Sequence, residues 1–103
     1  MICTYFLGTL VNVINKVRIK RIEKHLLKLR PHLLEKFRKW VQDVETDGID
    51  AVQKVRAWRD HPLKGRRNGQ RSISLNGPWR AIYEIKDEEI QFVDVMEVTP
   101  HDY

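Results

Sequence analysis

Four residues of this chain belong to types that could carry out acid–base chemistry on a phosphate ester. His61 opens the block His-Pro-Leu-Lys-Gly, Arg80 follows a turn at 76–78, and His101 and Tyr103 belong to the final three residues. An imidazole, with a reference pKa near ~6.5, can accept a proton at neutral pH, and a guanidinium binds phosphate oxygens while it stays charged. A phenol can move a proton or stack on a base. Together these side chains could hold and cut a polyanion without a metal ion.

A segment rich in cations follows His61. Residues 61–80 contain five Lys or Arg and no acidic residue. Four of these cations are candidates for binding a phosphate backbone: Lys64, Arg66, Arg67 and Arg71. The alternative is that they are solvated surface charges. That interpretation is plausible for any one of the four residues and less plausible for all four together.

The composition limits the class of protein. A chain of 103 residues is one small domain, and its net charge of +5 favours a polyanionic partner. Residues 15–41 hold ten Lys or Arg against two acids. These basic residues form either a second cationic surface or a solvated helical face. The single cysteine, Cys3, excludes an intramolecular disulfide and a cysteine metal cluster, and it allows a reducing cytoplasm.

Residues 1–14 form a mostly apolar N-terminal extension. The segment has no charged region before its apolar stretch and is shorter than the ~20 residues of a membrane helix, so it is a poor signal peptide and a poor membrane anchor. Two interpretations stay open: an upstream start codon assigned in error, which we favour, or an extension that packs as a strand or helix. The functional domain is then residues 15–103.

The hydrophobic pattern predicts an α+β fold. Alternation over 17–20 predicts a first strand, and apolar residues at helical spacing over 19–29 and 33–44 predict two long helices that form a hairpin. Three strands should follow, over 71–75, 79–85 and 90–98, with a short third helix and a loop before them. The result is a helical hairpin packed on a small antiparallel-dominated sheet, in the order β-α-α-β-β-β.

Three segments of the chain resemble the RelE/ParE toxin superfamily of bacterial toxin–antitoxin systems. They are His61–Gly65, Arg71–Ile85 and the terminal His-Asp-Tyr, and the resemblance runs from about Asn15 to Tyr103. It is closer to the messenger-RNA-cutting RelE, YoeB and HigB type than to other members. It implies a type II toxin that acts as a ribosome-dependent endoribonuclease, cleaves messenger RNA in the A site by metal-independent acid–base chemistry and needs no cofactor. It also implies a small acidic antitoxin as partner, through which alone the protein would reach operator DNA.

The resemblance also implies roles for two of the site residues. Arg80 stands where the family places an arginine against the scissile phosphate; the alternative is a strand arginine that pairs with Glu84 or Glu97. His61 stands where YoeB-like toxins carry a glutamate that accepts a proton, and several relatives carry histidine there. The alternative for His61 is a loop histidine with a structural hydrogen bond.

The chain end departs from the family pattern. RelE-like toxins place a tyrosine or a His-Tyr pair at this point to orient or move a proton, whereas Asp102 here occupies the position of the YoeB histidine. His101 would replace that histidine from one residue earlier, with Tyr103 beside it. The alternative is a frayed terminus.

Two other functions stay open under the same resemblance. A ParE-like toxin shares the fold and acts on DNA gyrase rather than on RNA, and such toxins usually lack the His and Tyr proton movers at the chain end. The presence of His61, His101 and Tyr103 therefore favours the nuclease. An inactive, degenerate relative is the third possibility, and the unusual N-terminus is the feature that keeps it open.

Overall fold

Five strands form one mixed sheet in the computed structural model, which describes residues 14–97. The strands are Val17–Arg18 (β1), His61–Pro62 (β2), Gln70–Asn76 (β3), Trp79–Lys86 (β4) and Glu89–Glu97 (β5). Their order across the sheet is β1-β5-β4-β3-β2, with β1 parallel to β5 and the other neighbours antiparallel. The predicted fold class is thus confirmed, with the two-residue edge strand β2 as an addition that the hydrophobic pattern did not predict.

The helices form a layer that packs on one face of this sheet. They are Glu23–Leu26 (α1), Pro31–Asp47 (α2) and Ile49–Gln53 (α3), and 3-10 turns precede α1 and follow α3 at Lys20–Ile22 and Arg56–Trp58. Pro31 begins α2 because a first-turn residue needs no N–H donor. Gly48 ends it with a φ of 88°, a conformation that favours glycine.

The first arm of the predicted helical hairpin is much shorter than expected. Instead of a helix over 19–29, the chain forms a 3-10 turn and the four-residue α1. Lys28 and Leu29 donate to carbonyls only three residues back, which tightens the chain into a turn. Arg30 is extended, with ψ at 150°, because the proline that follows disfavours helical geometry at this residue.

The core lies between α2 and the sheet. One stripe of α2 is buried, as its spacing predicted: Leu33, Phe37, Trp40 and Val44. The Trp40 ring lies 5.1 Å from Tyr83 and 5.2 Å from Phe92, which places an aromatic cluster at the centre. Ile14, the last residue of the predicted extension, also packs against this core. Residues 1–13, His101 and Tyr103 lie outside the described residues, so the predictions made for them stay predictions.

Candidate active site

Strand β4 has one face that packs against the helices and one face that points away from them. Ala81 and Tyr83 of β4 belong to the core beneath the helices. Because successive side chains of a strand point to opposite faces, Arg80 and Ile82 lie on the face away from the helices. We call this surface the site face.

His61 lies on the same face as Arg80. In the sheet register His61 is paired with Ser72, Ser72 with Ile82, and Ile82 with Asp94, and cross-strand partners share a face. Arg80 belongs to the next row on this face. Ideal sheet spacing separates the two backbones by roughly 10 Å across two strands and roughly 7 Å along them. Both side chains are half-buried, and an arginine side chain is long enough to bring its guanidinium towards the imidazole.

A backbone carbonyl orients the His61 ring. Nδ1 of His61 lies 2.8 Å from the carbonyl oxygen of Arg59. A carbonyl only accepts, so Nδ1 donates, and the lone pair of the neutral ring is then on Nε2. The hydrogen bond that the alternative interpretation foresaw therefore exists, and it leaves the ring in the tautomer that a proton acceptor at Nε2 requires.

A buried carboxylate beside His61 was not foreseen from the sequence. The Asp60 side chain is completely buried, and its Oδ1 accepts a hydrogen bond from Nε of Arg71 at 2.5 Å. Its Oδ2 accepts a bond from the Tyr83 hydroxyl, also at 2.5 Å, and Gln53 donates to that hydroxyl at 3.0 Å. An acid just before His61 was visible in the sequence, but no pattern distinguished it from the exposed acids around it.

The environment of this cluster keeps its donors protonated. Burial raises the pKa of Tyr83 well above its usual value, and the hydrogen bond and charge of Asp60 raise it further, against smaller opposing effects of Gln53 and Arg71. Burial lowers the pKa of Arg71, but the hydrogen bond and charge of Asp60 outweigh it, so the net shift is upward. Tyr83 therefore stays a hydroxyl donor and Arg71 a cation.

The four predicted RNA-binding residues fall into two groups. Arg67 donates to Gln70 and to Asp94 of β5, both at 3.0 Å, and Arg71 is bound to Asp60. These arginines thus have acidic partners, which come from outside residues 61–80. Lys64 and Arg66 are exposed, and neither forms an ion pair within the part of the chain that the structure describes.

The Arg67–Asp94 pair ties the segment after β2 to the far side of the site face. The segment, residues 63–69, contains a 3-10 turn at Gly65–Arg67 and leads into β3. Asp94 belongs to the row that contains Ser72 and Ile82 and lies two strands from β3, so the pair spans the site face along this row. The segment that carries the exposed cations Lys64 and Arg66 is therefore tied to β5 through its neighbour Arg67.

A second surface lies on the helix side, between α1 and α2. It is an apolar groove of about 510 Å³, lined mainly by Ile19, Leu26, Leu27, Leu34, Phe37 and Val41. Arg38 and Glu45 of α2 also line it. Leu27, which lines the groove, is 86% exposed.

Within residues 14–97, no helix has the length and apolar character needed to cross a membrane. In the same range, no three or more His, Cys, Asp or Glu side chains are grouped so that they could hold a metal ion.

Comparison with known proteins gives the class of fold. No family model and no curated protein matches the chain. Solved structures do match it. The toxin–antitoxin complex RelBE2 from Mycobacterium tuberculosis is similar at 23% identity and a TM-score of 0.59, over 81% of this chain and 96% of that one. The YoeB–YefM complex from Staphylococcus aureus is similar at 15% identity and a TM-score of 0.61, over 82% of this chain and 97% of that one.

A third match has both branches of the superfamily in its name. The YoeB/ParE toxin from Agrobacterium tumefaciens is 12% identical with a TM-score of 0.61, over 82% of this chain and 99% of that one. At these identities the likeness concerns the fold. The chain has the fold of the RelE/ParE toxin superfamily, as its sequence motifs predicted.

Proposed function

We propose that this protein is the toxin of a type II toxin–antitoxin system and that it is an endoribonuclease that cleaves messenger RNA on the ribosome. The observation that carries the proposal is that His61 and Arg80 lie on one face of the sheet, with the exposed cations Lys64 and Arg66 in the segment that follows His61. A proton acceptor, a charge stabiliser and a phosphate-binding segment on one surface are what metal-independent RNA cleavage requires.

The chemistry uses the nucleophile that RNA already contains. In the proposed mechanism Nε2 of His61 takes the proton of the 2′-hydroxyl, and the 2′ oxygen attacks the adjacent phosphorus. Arg80 stabilises the charge that develops on the phosphoryl oxygens. The bond to the 5′ oxygen breaks as that oxygen receives a proton, which leaves a 2′,3′-cyclic phosphate and a 5′-hydroxyl. We assign the delivery of this proton, or its orientation, to His101 and Tyr103 on the resemblance alone.

The cations would contribute in two different ways. Lys64 and Arg66 are exposed and would contact the phosphates on either side of the scissile bond. Arg67 is one-third exposed, so it could bind a phosphate while it remains paired with Asp94. Arg71 contributes its charge mainly inward, to Asp60, so we expect it to affect RNA binding less than the other three.

The ribosome requirement follows from the resemblance and fits the size of the domain. A chain of 103 residues with few recognition loops is a poor reader of sequence by itself. A ribosome that presents one codon in its A site would supply both the substrate geometry and the selectivity.

A small acidic antitoxin is the expected partner. The similar solved structures include toxin–antitoxin complexes by name. The net charge of +5 would attract an acidic protein, and the groove between α1 and α2 would accept an apolar helix face. Any binding of operator DNA would then belong to the antitoxin.

The competing function is a ParE-like inhibitor of DNA gyrase, because the fold is compatible with both. The two are separated by inducing expression in bacterial cells and following transcripts and DNA together. We expect growth arrest with cleaved messenger RNA and unchanged DNA supercoiling, and we expect His61→Gln to remove the cleavage. Accumulated gyrase–DNA breaks with intact transcripts would support the ParE-like function instead.

A further inference from the structure

We propose that Asp60 is a positioning residue for His61, because its buried carboxylate fixes the short strand that carries the imidazole. The inference rests on the proposed function only in assigning His61 a role in cleavage. The attachment itself is a statement about the structure and can be tested without any substrate.

Strand β2 has little support of its own. It is two residues long, lies at the edge of the sheet and contains Pro62, which has no N–H to donate. Leu63 adds one backbone bond to Gln70, at 2.8 Å. A strand of this kind would fray unless another contact held it against β3.

The Asp60 carboxylate supplies that contact. It accepts from Arg71 of β3 and from Tyr83 of β4, each at 2.5 Å, while Gln53 at the end of α3 holds the Tyr83 hydroxyl. Arg71 is also the register partner of both Pro62 and Tyr83. One side chain therefore fastens the start of β2 to two neighbouring strands and, through Gln53, to a helix.

Burial makes this arrangement specific in geometry. A fully buried carboxylate is tolerated only when directional donors compensate its charge, and here a guanidinium and a hydroxyl do so on separate oxygens. Moving the backbone of Asp60 would break charge-assisted hydrogen bonds inside the protein. Its position is consequently much better defined than that of an ordinary edge residue.

The same anchor holds the turn that orients the imidazole. Arg59 has a left-handed backbone, with φ 51° and ψ 40°, which is uncommon for a residue with a side chain. Such a conformation persists when its surroundings impose it. The Arg59 carbonyl accepts the hydrogen bond from Nδ1 of His61. The anchored residue, Asp60, therefore lies in the chain between the imidazole and the carbonyl that orients it. The Asp60 contacts are made on the helix side, whereas the His61 ring lies on the site face.

Nuclear magnetic resonance of the ring nitrogens tests the anchor directly. In the neutral wild-type ring we expect the proton on Nδ1, held by the Arg59 carbonyl, and His61→Gln identifies the signal. In Asp60→Asn we expect a substantial share of the Nε2–H form that free imidazole prefers. Asp43→Asn is the matched control, because it removes a carboxylate from a surface ion pair with Lys39 on α2 and should leave the spectrum unchanged.

Cleavage of ribosome-bound message gives the second readout. A misplaced catalytic group typically costs up to ~100-fold, so we expect Asp60→Asn to lower the turnover number by roughly 10- to 100-fold with KM little changed. In a His61→Gln background, Asp60→Asn should lower the rate no further, because its effect passes through His61. An equal further loss in that background would show that Asp60 acts by another route and would overturn the proposal.

Folding is kept separate from positioning by a second variant. If Asp60→Asn does not fold, Tyr83→Phe removes one donor while it keeps the Arg71 pair and the ring packing. It should shift the tautomer in the same direction by a smaller amount. An unchanged Nδ1–H signal in a folded Asp60 or Tyr83 variant would overturn the proposal. A shifted tautomer in a protein that cleaves no RNA would uphold the anchor and reject the proposed function.

Discussion

The Tyr83 hydroxyl donates a hydrogen bond to the Asp60 carboxylate at 2.5 Å, although the two residues are 23 positions apart in the chain. The same ring packs against Trp40 and Phe92 at the centre of the core. The centre of the hydrophobic core and the edge strand that carries His61 are therefore joined through a single side chain.

This bond gives Tyr83 a measurable share of stability. Tyr83→Phe keeps the ring but leaves a buried carboxylate with one donor fewer, so we expect a loss of about 1–3 kcal/mol in the free energy of unfolding at pH 7, measured with urea. An unchanged free energy of unfolding would show that the bond contributes nothing net.

The pH dependence of this loss has a definite sign. The pKa of Tyr83 is raised in the folded protein above its ordinary value of 10.0. Its contribution is therefore complete below pH 10.0 and falls as the pH rises further, because the unfolded chain releases the proton first. The wild-type free energy of unfolding should fall more steeply between about pH 10 and 11 than that of Tyr83→Phe. Parallel curves for the two proteins would contradict this assignment.

Arg80 should be needed for cleavage and dispensable for folding. Arg80→Ala removes a charge stabiliser from the site face, for which a loss of about 100-fold or more in turnover is expected. Arg56→Ala, which removes an exposed arginine outside the site face, is the matched control and should cleave normally. Wild-type cleavage by a folded Arg80→Ala protein would remove Arg80 from the mechanism.

The chain end should matter for chemistry more than for stability. Removal of residues 101–103 should abolish cleavage at little cost to the thermal midpoint, because a proton mover contributes roughly 100- to 10,000-fold to rate. Tyr103→Phe keeps stacking and loses the hydroxyl, while Tyr103→Ala loses both, so comparing their rates identifies which property is used. If the deletion variant cuts message as fast as the full chain, His61 must carry more of the chemistry.

The N-terminal extension should be dispensable. Deletion of Met1 to Val13 leaves Ile14, which packs on the core and accepts a bond from Ile49 at 2.9 Å. We expect a folded, toxic protein, judged by circular dichroism and growth arrest. An insoluble product would show that the apolar residues before Ile14 belong to the core.

The sequence carried the fold class and most strand positions because local periodicity records which face of an element is buried. The stripe on α2 and the strands β3 to β5 are cases of this kind. The prediction of a long helix over 19–29 was wrong. The proline at position 31 and two short-range hydrogen bonds outweighed the helical spacing, and only the short α1 forms. Apolar spacing cannot record a constraint that the backbone imposes.

The candidate site was predictable only in part. The placement of His61 and Arg80 on one face depends on strand register. The turn at 76–78 predicted that β3 and β4 are neighbours, whereas the short β2 was not predicted at all. Asp60 was missed because its partners Arg71 and Tyr83 lie on other strands, 11 and 23 residues away in the chain, and only the pairing of the sheet brings them beside it. The internal pairing of Arg67 with Asp94 was hidden for the same reason.

The most direct test of the account is cleavage by the purified protein of a defined message on programmed ribosomes, with the new ends mapped and their chemistry identified. We expect cuts within the A-site codon that end in a 2′,3′-cyclic phosphate and a 5′-hydroxyl, without added metal, and at least 100-fold slower cleavage by His61→Gln or Arg80→Ala. Message that stays intact on ribosomes occupied by the folded wild-type protein would contradict the account.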